Sequence, residues 1–340
     1  MRDHASGLLK IICTLQPTGS HDYPQHSANF MKPEFICIGA QRTGTTWLYS
    51  MLREHPEFSL LPVKEIHYFD RSRSYPSPNT LAETKLLNRL LKFRYIKNGA
   101  QVVLRSLKSQ NLDLANWWIQ YYFRDFSDAW YLKLYETQTG ITGDITPSYS
   151  ILTQDDVARM HNLVPQAKLV FLMRNPIERA WSHYRYNEKI GTGSIVLNDL
   201  DAFKAFVDSP AQELRSNYLR TIDLYLNFFD SSQFLLGFYD AITDQPAALL
   251  SEILKHIGAK DTMKHGNICQ VKNNSREIEI PDSYRKYLED KYCNDLEELA
   301  NRYAGYASKW LSCVKNKHAE QVDEANRLSP VAHPKRYRKF

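Results

Sequence analysis

Cysteine is scarce in this chain of 340 residues: there are five, and no two of them are spaced as Cys-x-x-Cys. An odd count without that spacing argues against a zinc knuckle or a disulfide-stapled scaffold. We therefore expect a reducing compartment and a cytoplasmic location. The five positions are Cys13, Cys37, Cys269, Cys293 and Cys313.

A long apolar run is also lacking. The apolar stretch at residues 8–15 is interrupted by Lys10 and is far shorter than the ~20 residues that span a bilayer. A strong excess of one charge is lacking as well, since the net charge is +5. That mild excess suits anionic ligands but does not predict a nucleic-acid partner. Hydrophobic residues make up 43% of the chain, which predicts an ordinary folded core.

Four short apolar segments predict β-strands, and three of them are followed by a loop and a helical pattern. This alternation predicts an α/β fold with a P-loop-type, doubly wound parallel sheet flanked by helices. The predicted strands are residues 35–39, 141–145, 168–173 and 234–239.

The chain divides into three predicted parts. Residues 1–33 form a flexible lead-in, residues 34–312 hold the α/β domain, and residues 313–340 form a polar, basic, solvated tail. Helical inserts at residues 71–140 and 190–232 interrupt the α/β pattern, and the first is rich in aromatic residues. We expect aromatic faces to pack these helices, and part of this layer to cover an acceptor pocket.

The loop after the first strand, Gly-Ala-Gln-Arg-Thr-Gly-Thr-Thr at residues 39–46, carries the two glycines of a Walker A loop. Backbone N–H groups in such a loop, with the following helix N-terminus, cradle phosphate oxygens. The Walker lysine is missing, because Thr45 stands in its place and the loop's cation is Arg42. The loop therefore predicts phosphate binding without ATP hydrolysis.

A second anion-binding pattern follows the strand at 168–173. Arg174 comes at the end of that strand, and Ser182 follows two helical turns later. Both side chains can face one anion from these positions.

The segment Lys-Glu-Ile-His-Tyr-Phe-Asp at residues 64–70 predicts the reacting centre. If it is extended, Glu65 and His67 point to the same side. A carboxylate beside an imidazole can serve as a general base, and Lys64 can assist where negative charge builds. Either Glu65 or His67 could be the base, and Glu65 is our first choice.

Together these motifs resemble those of PAPS-dependent sulfotransferases, in the bacterial and heparan-type branch rather than the cytosolic branch. PAPS is 3′-phosphoadenosine 5′-phosphosulfate, and PAP is its desulfonated product. The resemblance implies that the loop basic residue, Arg42, contacts the 5′-phosphate and the bridging oxygen and stabilises the transferring group. It also implies that Trp47 packs on adenine as in the cytosolic branch. It places the donor at Arg42, Thr43, Gly44, Thr45, Thr46 and Trp47.

The same resemblance implies that Arg174 and Ser182 bind the 3′-phosphate, and that Tyr239 lies near adenine. Lys272 is a weaker candidate for a further 3′-phosphate contact, because the glycine usual in that element is absent. The resemblance makes Glu65 the general base, supported by His67, and requires no metal.

The acceptor stays open. Residues 143–149, Gly-Asp-Ile-Thr-Pro-Ser-Tyr, resemble an element near the family's acceptor, but heparan-modifying members often carry lysine where Ile145 stands. We expect a hydroxyl of a small natural product, with an amine or a glycan as alternatives. A P-loop nucleotide kinase or NTPase, and a non-catalytic nucleotide-binding module of the same fold, are the rival function classes. No oligomeric state is predicted.

Overall fold

The computed structural model describes residues 32–76, 82–192, 199–261, 278–315 and 328–335, with only the backbone described at 188–192. All of these residues belong to one compact unit. Five strands form its sheet: β1 (Phe35–Gly39), β2 (Gly143–Ile145), β3 (Lys168–Met173), β4 (Phe234–Phe238) and β5 (Val331–Ala332).

The sheet has the strand order β2-β1-β3-β4-β5 and is parallel from β2 to β4, which confirms the predicted fold class. Phe35 pairs with Gly143 on one side and with Lys168 on the other. The four predicted strands all form. β4 ends one residue early because Tyr239 already has helical backbone angles, φ −58° and ψ −37°.

Helices cover both faces of the sheet, so the parallel strands are apolar on both sides. All of β1 is buried, including Cys37. The helices are α1 (Thr45–Glu54), α2 (Leu86–Leu90), α3 (Phe93–Lys108), α4 (Leu112–Tyr122), α5 (Asp128–Lys133), α6 (Gln154–Leu163), α7 (Pro176–Thr192), α8 (Leu200–Val207), α9 (Pro210–Ser216), α10 (Tyr218–Leu226), α11 (Asp240–Asp244), α12 (Pro246–Ile257), α13 (Asp282–Tyr303) and α14 (Gly305–Lys315). Short 3₁₀ turns form at Pro147–Ile151 and Ser231–Gln233.

The C-terminal segment differs from the predicted solvated tail. α14 continues to Lys315, and β5 pairs antiparallel with β4, with Val331 opposite Gly237. Gln245 fixes the approach to β5 by donating a hydrogen bond from Nε2 to the Leu328 carbonyl at 2.6 Å. The apolar Val331 is buried there, so this part of the predicted tail packs on the core of the sheet.

The first helical insert packs through aromatic rings, as predicted. Trp117 stacks on Tyr121 with ring centroids 5.3 Å apart. Tyr131 of α5 stacks on Tyr68 at 4.8 Å, so the insert lies directly behind the segment that carries Glu65 and His67. None of the described helices is long and apolar enough to cross a membrane.

Candidate active site

The loop between β1 and α1 depends on Gly44. Its φ of 88° lies in the left-handed region that favours glycine. A Cβ at this position would meet Cδ1 of Ile242 at 2.2 Å and a ring carbon of Tyr239 at 3.2 Å. The loop is therefore pressed against the turn that follows β4. Inside it, the buried Thr43 hydroxyl donates to the Ala40 carbonyl at 2.7 Å and braces the loop instead of facing outward.

Lys64 reaches the start of α1 from another part of the chain. Its Nζ lies 3.3 Å from the hydroxyl of Thr45 and 3.3 Å from that of Thr46. It also contacts Oε1 of Glu65 at 2.8 Å. A helix N-terminus already carries partial positive charge, so the ammonium group and the helix end together form a favourable place for an anion. Lys64 thus brings a lysine to the loop whose Walker lysine is missing.

Glu65, His67 and Asp70 form a chain of charged groups. His67 Nδ1 lies 2.7 Å from Oδ2 of Asp70, and His67 Nε2 lies 3.3 Å from Oε2 of Glu65. Asp70 is fully buried, whereas the Glu65 side chain is 37% exposed. The chain therefore runs from the protein interior to an accessible carboxylate.

These contacts shift both pKa values away from each other. Burial alone would raise the pKa of Glu65, but the His67 hydrogen bond and the Lys64 charge outweigh it and lower the pKa to about 2. Burial alone would lower the pKa of His67, but its hydrogen bonds to Asp70 and Glu65 raise the pKa to about 9. At neutral pH, Glu65 is therefore a carboxylate and His67 an imidazolium.

Residues from β2 and the following turn hold this segment in place. Thr146 Oγ1 accepts a hydrogen bond from the Ile66 N–H at 3.1 Å, and the Tyr149 hydroxyl accepts one from the Tyr68 N–H at 2.9 Å. Both hydroxyls donate to the buried Asp144 carboxylate, at 2.6 Å and 2.8 Å. Burial raises the pKa of Asp144 to about 6, although these hydrogen bonds oppose the rise. The side chains of Asp144, Thr146 and Tyr149 therefore support the segment that carries Glu65.

Two cations, Arg42 and Arg174, lie after the ends of β1 and β3, beside Tyr239 at the end of β4. Arg42 Nε donates to the Ser182 hydroxyl at 3.2 Å, and its guanidinium lies 4.6 Å from the Tyr186 ring centroid. Arg174 lies 4.3 Å from the centroid of the Tyr239 ring. Burial, together with the charge of Arg174, lowers the pKa of Arg42. Within the described part of the chain, no ion pair within 4.0 Å includes Arg42 or Arg174.

Two residues of the candidate site have unusual backbone φ angles. Arg42 has φ 70° and His67 has φ 53°, both in the left-handed region that non-glycine residues seldom adopt. Such conformations persist only where the surroundings hold them, and they concentrate at functional sites. The turn at His67, and not a regular extended strand, brings its ring to Glu65.

The structure brings most of the predicted site residues together. Arg42 points toward Ser182 and the end of β3, while Lys64 takes the position beside the α1 hydroxyls that was expected for the loop cation. Trp47 is only 6% exposed, so its contact with adenine stays a prediction. Lys272 lies outside the described residues.

Sequence reasoning missed a support beneath the loop. Gln41 Nε2 donates to the Ser148 hydroxyl at 2.8 Å, and the side-chain oxygen Oε1 of Gln41 accepts from Nε of the buried Arg215. Burial and the neighbouring charge of Arg179 lower the pKa of Arg215 to about 10. Arg215 stands 174 positions after Gln41, and no sequence signal links them. No cluster of three or more His, Cys, Asp or Glu side chains suited to a metal ion is found among the described residues.

The fold and the site define an α/β protein with a glycine-containing loop after β1 and a carboxylate–imidazolium pair beside that loop. The chain belongs to the sulfotransferase family, whose model matches residues 33–262, about two-thirds of the chain.

Two relatives carry the same family name. The bifunctional heparan sulfate N-deacetylase/N-sulfotransferase 4 of Mus musculus is 25% identical over 66% of this chain and 22% of its own length. Carbohydrate sulfotransferase 15 of Rattus norvegicus is 30% identical over 49% of this chain and 29% of its own length. This chain therefore matches less than a third of either relative.

The fold has a solved counterpart. The crystal structure of a sulfotransferase from Alicyclobacillus acidocaldarius superposes with a TM-score of 0.55 at 19% identity. The match covers 80% of this chain and 95% of that one. At this identity the likeness supports the fold and nothing finer.

Proposed function

We propose that the protein transfers a sulfuryl group from PAPS to a hydroxyl of an acceptor by in-line displacement, with Glu65 as the general base. The observation that carries the proposal is the position of Lys64. Its ammonium group contacts the Glu65 carboxylate at 2.8 Å and the two α1 hydroxyls at 3.3 Å. One cation therefore joins the phosphate loop to the base.

The donor half fits a nucleotide with two phosphate groups. Gly44 and the start of α1, with the hydroxyls of Thr45 and Thr46, would hold the 5′-phosphosulfate. The cations Arg42 and Arg174, which have no carboxylate partner among the described residues, would hold the 3′-phosphate together with Ser182, whose hydroxyl lies 3.2 Å from Nε of Arg42. When bound, PAPS supplies the sulfuryl group and a phosphate leaving group.

The base half favours Glu65 over His67. An imidazolium has no lone pair for a proton, and the raised pKa of His67 keeps it protonated at neutral pH. The accessible Glu65 carboxylate can accept the acceptor's proton, while His67 holds its second oxygen. The low pKa of Glu65 makes it a weak base as long as both His67 and Lys64 contact it. Movement of Lys64 toward a bound donor would strengthen Glu65 as a base.

For the acceptor, we propose a small-molecule hydroxyl first and a saccharide second. The names of the two relatives include heparan sulfate and carbohydrate, which favours the saccharide. The position where heparan-type members often carry lysine is Ile145, which is 1% exposed in the core beside β1. The aromatic insert behind Tyr68 favours an acceptor with an apolar part.

A transfer assay tests this function. The protein is incubated with PAPS and a panel of phenols, alcohols, amines and oligosaccharides, and mass spectrometry reads the gain of one sulfonate on the acceptor. Glu65→Gln is the matched inactive control. Sulfonation by the wild type alone supports the proposal. Tight binding of Mg²⁺–ATP without any response to PAP would favour a P-loop kinase or NTPase. PAP binding without transfer to any acceptor, and without an effect of Glu65→Gln, would favour a non-catalytic module.

A further inference from the structure

The first helical insert carries a one-sided excess of charge. Residues 85–108, which include α2 and α3, contain seven lysines and arginines and no aspartate or glutamate. Arg89 is buried, and the others are exposed to solvent: Lys85, Lys92, Arg94, Lys97, Arg105 and Lys108. No salt bridge within 4.0 Å includes any of these six among the described residues.

Large apolar side chains protrude from the same insert. Leu87 is 78% exposed, Leu91 is 86% exposed and Phe93 is 79% exposed. Further exposed apolar side chains on α3 and at the start of α4 are Leu104, Leu107 and Leu112. The described residues include seven large hydrophobic side chains that are exposed, and six of them lie in this insert. Single exposed leucines are ordinary, whereas such a concentration marks an interaction surface.

On α3 the apolar and basic residues form neighbouring stripes. Phe93 and Leu104 are eleven residues apart, which is about three helical turns, so they share one face. Lys97 and Lys108 lie next to that face by the same spacing. The opposite face is packed, because a Cβ on Gly99 would meet Cζ of Phe123 at 2.9 Å. The stripes therefore point away from the protein.

We propose that this insert, from α2 to the start of α4, is a docking surface for a bilayer that contains anionic lipids. Basic side chains beside protruding Leu and Phe are the chemistry that binds the interface of an anionic membrane. A second copy of the chain is a poor occupant, because it would bring two sets of unpaired cations together. An acidic protein would neutralise the cations, but it would also need pockets for the protruding leucine and phenylalanine side chains. The acyl chains of a bilayer accommodate such side chains without preformed pockets.

The surface is linked to the active site through a short series of packed side chains. Arg89 of α2 lies 3.5 Å from the Phe126 ring centroid, and Arg71 lies 3.8 Å from the same centroid. Arg71 donates to the Ile66 carbonyl at 2.8 Å, within the Glu65 segment. Docking of the insert would therefore hold the active site close to the membrane surface. The inference does not depend on the proposed sulfuryl transfer, and its test needs no activity.

Vesicle co-sedimentation of the full chain tests the proposal. The probes are vesicles of phosphatidylcholine alone and of equimolar phosphatidylcholine and phosphatidylglycerol. We expect binding to the anionic vesicles only, weakening as salt is added. Lys92→Glu combined with Lys97→Glu should weaken binding by about 30-fold or more, at about 1 kcal/mol for each cation lost. Lys255→Glu combined with Lys286→Glu makes the same charge change at exposed lysines outside the insert and should weaken it far less.

Variants of the protruding apolar side chains distinguish a membrane from other acidic partners. Leu91→Ser combined with Phe93→Ser should weaken vesicle binding at least tenfold and leave binding to soluble polyglutamate unchanged. Equal loss for both pairs of lysine variants, or no effect of the serine variants, would overturn the proposal. So would binding to polyglutamate as tight as to vesicles, or a dimer in sedimentation analysis that the serine variants abolish. Each variant is first checked for an unchanged circular dichroism spectrum and melting temperature, and the salt dependence of the wild type provides a test that needs no variant.

Discussion

Around Glu65, each charged side chain has an opposite charge within 3.3 Å, from Lys64 on one side to His67 and Asp70 on the other. Around Arg42 and Arg174, cations meet aromatic rings and a serine, and no described carboxylate pairs with them. These two halves of one site lie at the same edge of the sheet and differ in how their charge is compensated.

The difference indicates what each half is prepared to do. Compensated charges fix a geometry before any ligand arrives, which is what a general base requires. Uncompensated, partly buried cations favour the arrival of an anion, which is what a nucleotide site requires. Lys64 belongs to both halves, so it is the residue through which donor binding could change the strength of the base.

The largest expected effect is on the base half. Glu65→Gln should lower kcat by about 10²–10⁴-fold, since it removes general-base catalysis, and leave the Kd of PAP nearly unchanged. Steady-state kinetics and calorimetry measure the two quantities. Glu54→Gln, at the exposed far end of α1, is the matched control. A Glu65→Gln enzyme with wild-type kcat would remove Glu65 from the mechanism.

Substitution of Lys64 should affect the donor half and the base half of the site together. Lys64→Met should lower kcat and weaken PAP binding, each by about tenfold or more, because a charge-assisted contact is lost on both sides. Its loss should also raise the pKa of Glu65, since the Lys64 charge helps to lower that pKa. Lys64→Arg should restore part of both effects. If only kcat changes, Lys64 does not belong to the donor half.

The pH profile distinguishes the two candidate bases. With Glu65 as base and His67 as imidazolium, the rate should stay high from mildly acidic pH and fall as pH rises through about 9. A rate that rises with pH between about 6 and 7 would instead indicate a neutral histidine acting as the base.

The free energy of unfolding should depend on pH through the same two groups, His67 and Glu65. The raised pKa of His67 contributes stability that is complete below its ordinary value of 6.5 and is lost as pH rises through about 9. The lowered pKa of Glu65 contributes stability above 4.5 that is lost as pH falls through about 2. Denaturant titrations across the pH range measure both, and His67→Asn should remove the loss near pH 9.

The smallest predicted effect concerns the support of the base. Tyr149→Phe removes the hydroxyl that joins Tyr68 N–H to Asp144, and should lower the free energy of unfolding by about 1–3 kcal/mol. Tyr49→Phe removes one longer hydrogen bond, 3.3 Å to the Leu61 carbonyl, and should cost less. Urea titrations compare them. Equal losses would show that the Asp144 network adds nothing beyond an ordinary hydrogen bond.

Much of the fold was predictable, because parallel strands are continuous apolar runs. β1 and β3 form at their predicted bounds. The strand β5 was not predictable, since two residues in a polar stretch carry no periodicity. Its pairing depends on β4, which lies far away in the sequence.

For the site, short motifs predicted which residues meet but not how they divide their roles. Glu65 and His67 meet as expected, yet Asp144 proved to be a buried support and Lys64 the cation at the start of α1. These roles depend on side-chain directions across separate loops. A linear pattern holds no information about such directions until the tertiary structure is known.

The most direct test compares the binding of PAP and of adenosine 5′-phosphate to the wild type and to Arg174→Ala by calorimetry. The two ligands differ only in the 3′-phosphate assigned to Arg174, Arg42 and Ser182. We predict that the wild type binds PAP at least tenfold more tightly, and that Arg174→Ala removes most of this difference while leaving adenosine 5′-phosphate binding nearly unchanged. Equal binding of the two ligands by the wild type, or an equal loss of both in Arg174→Ala, would contradict the account.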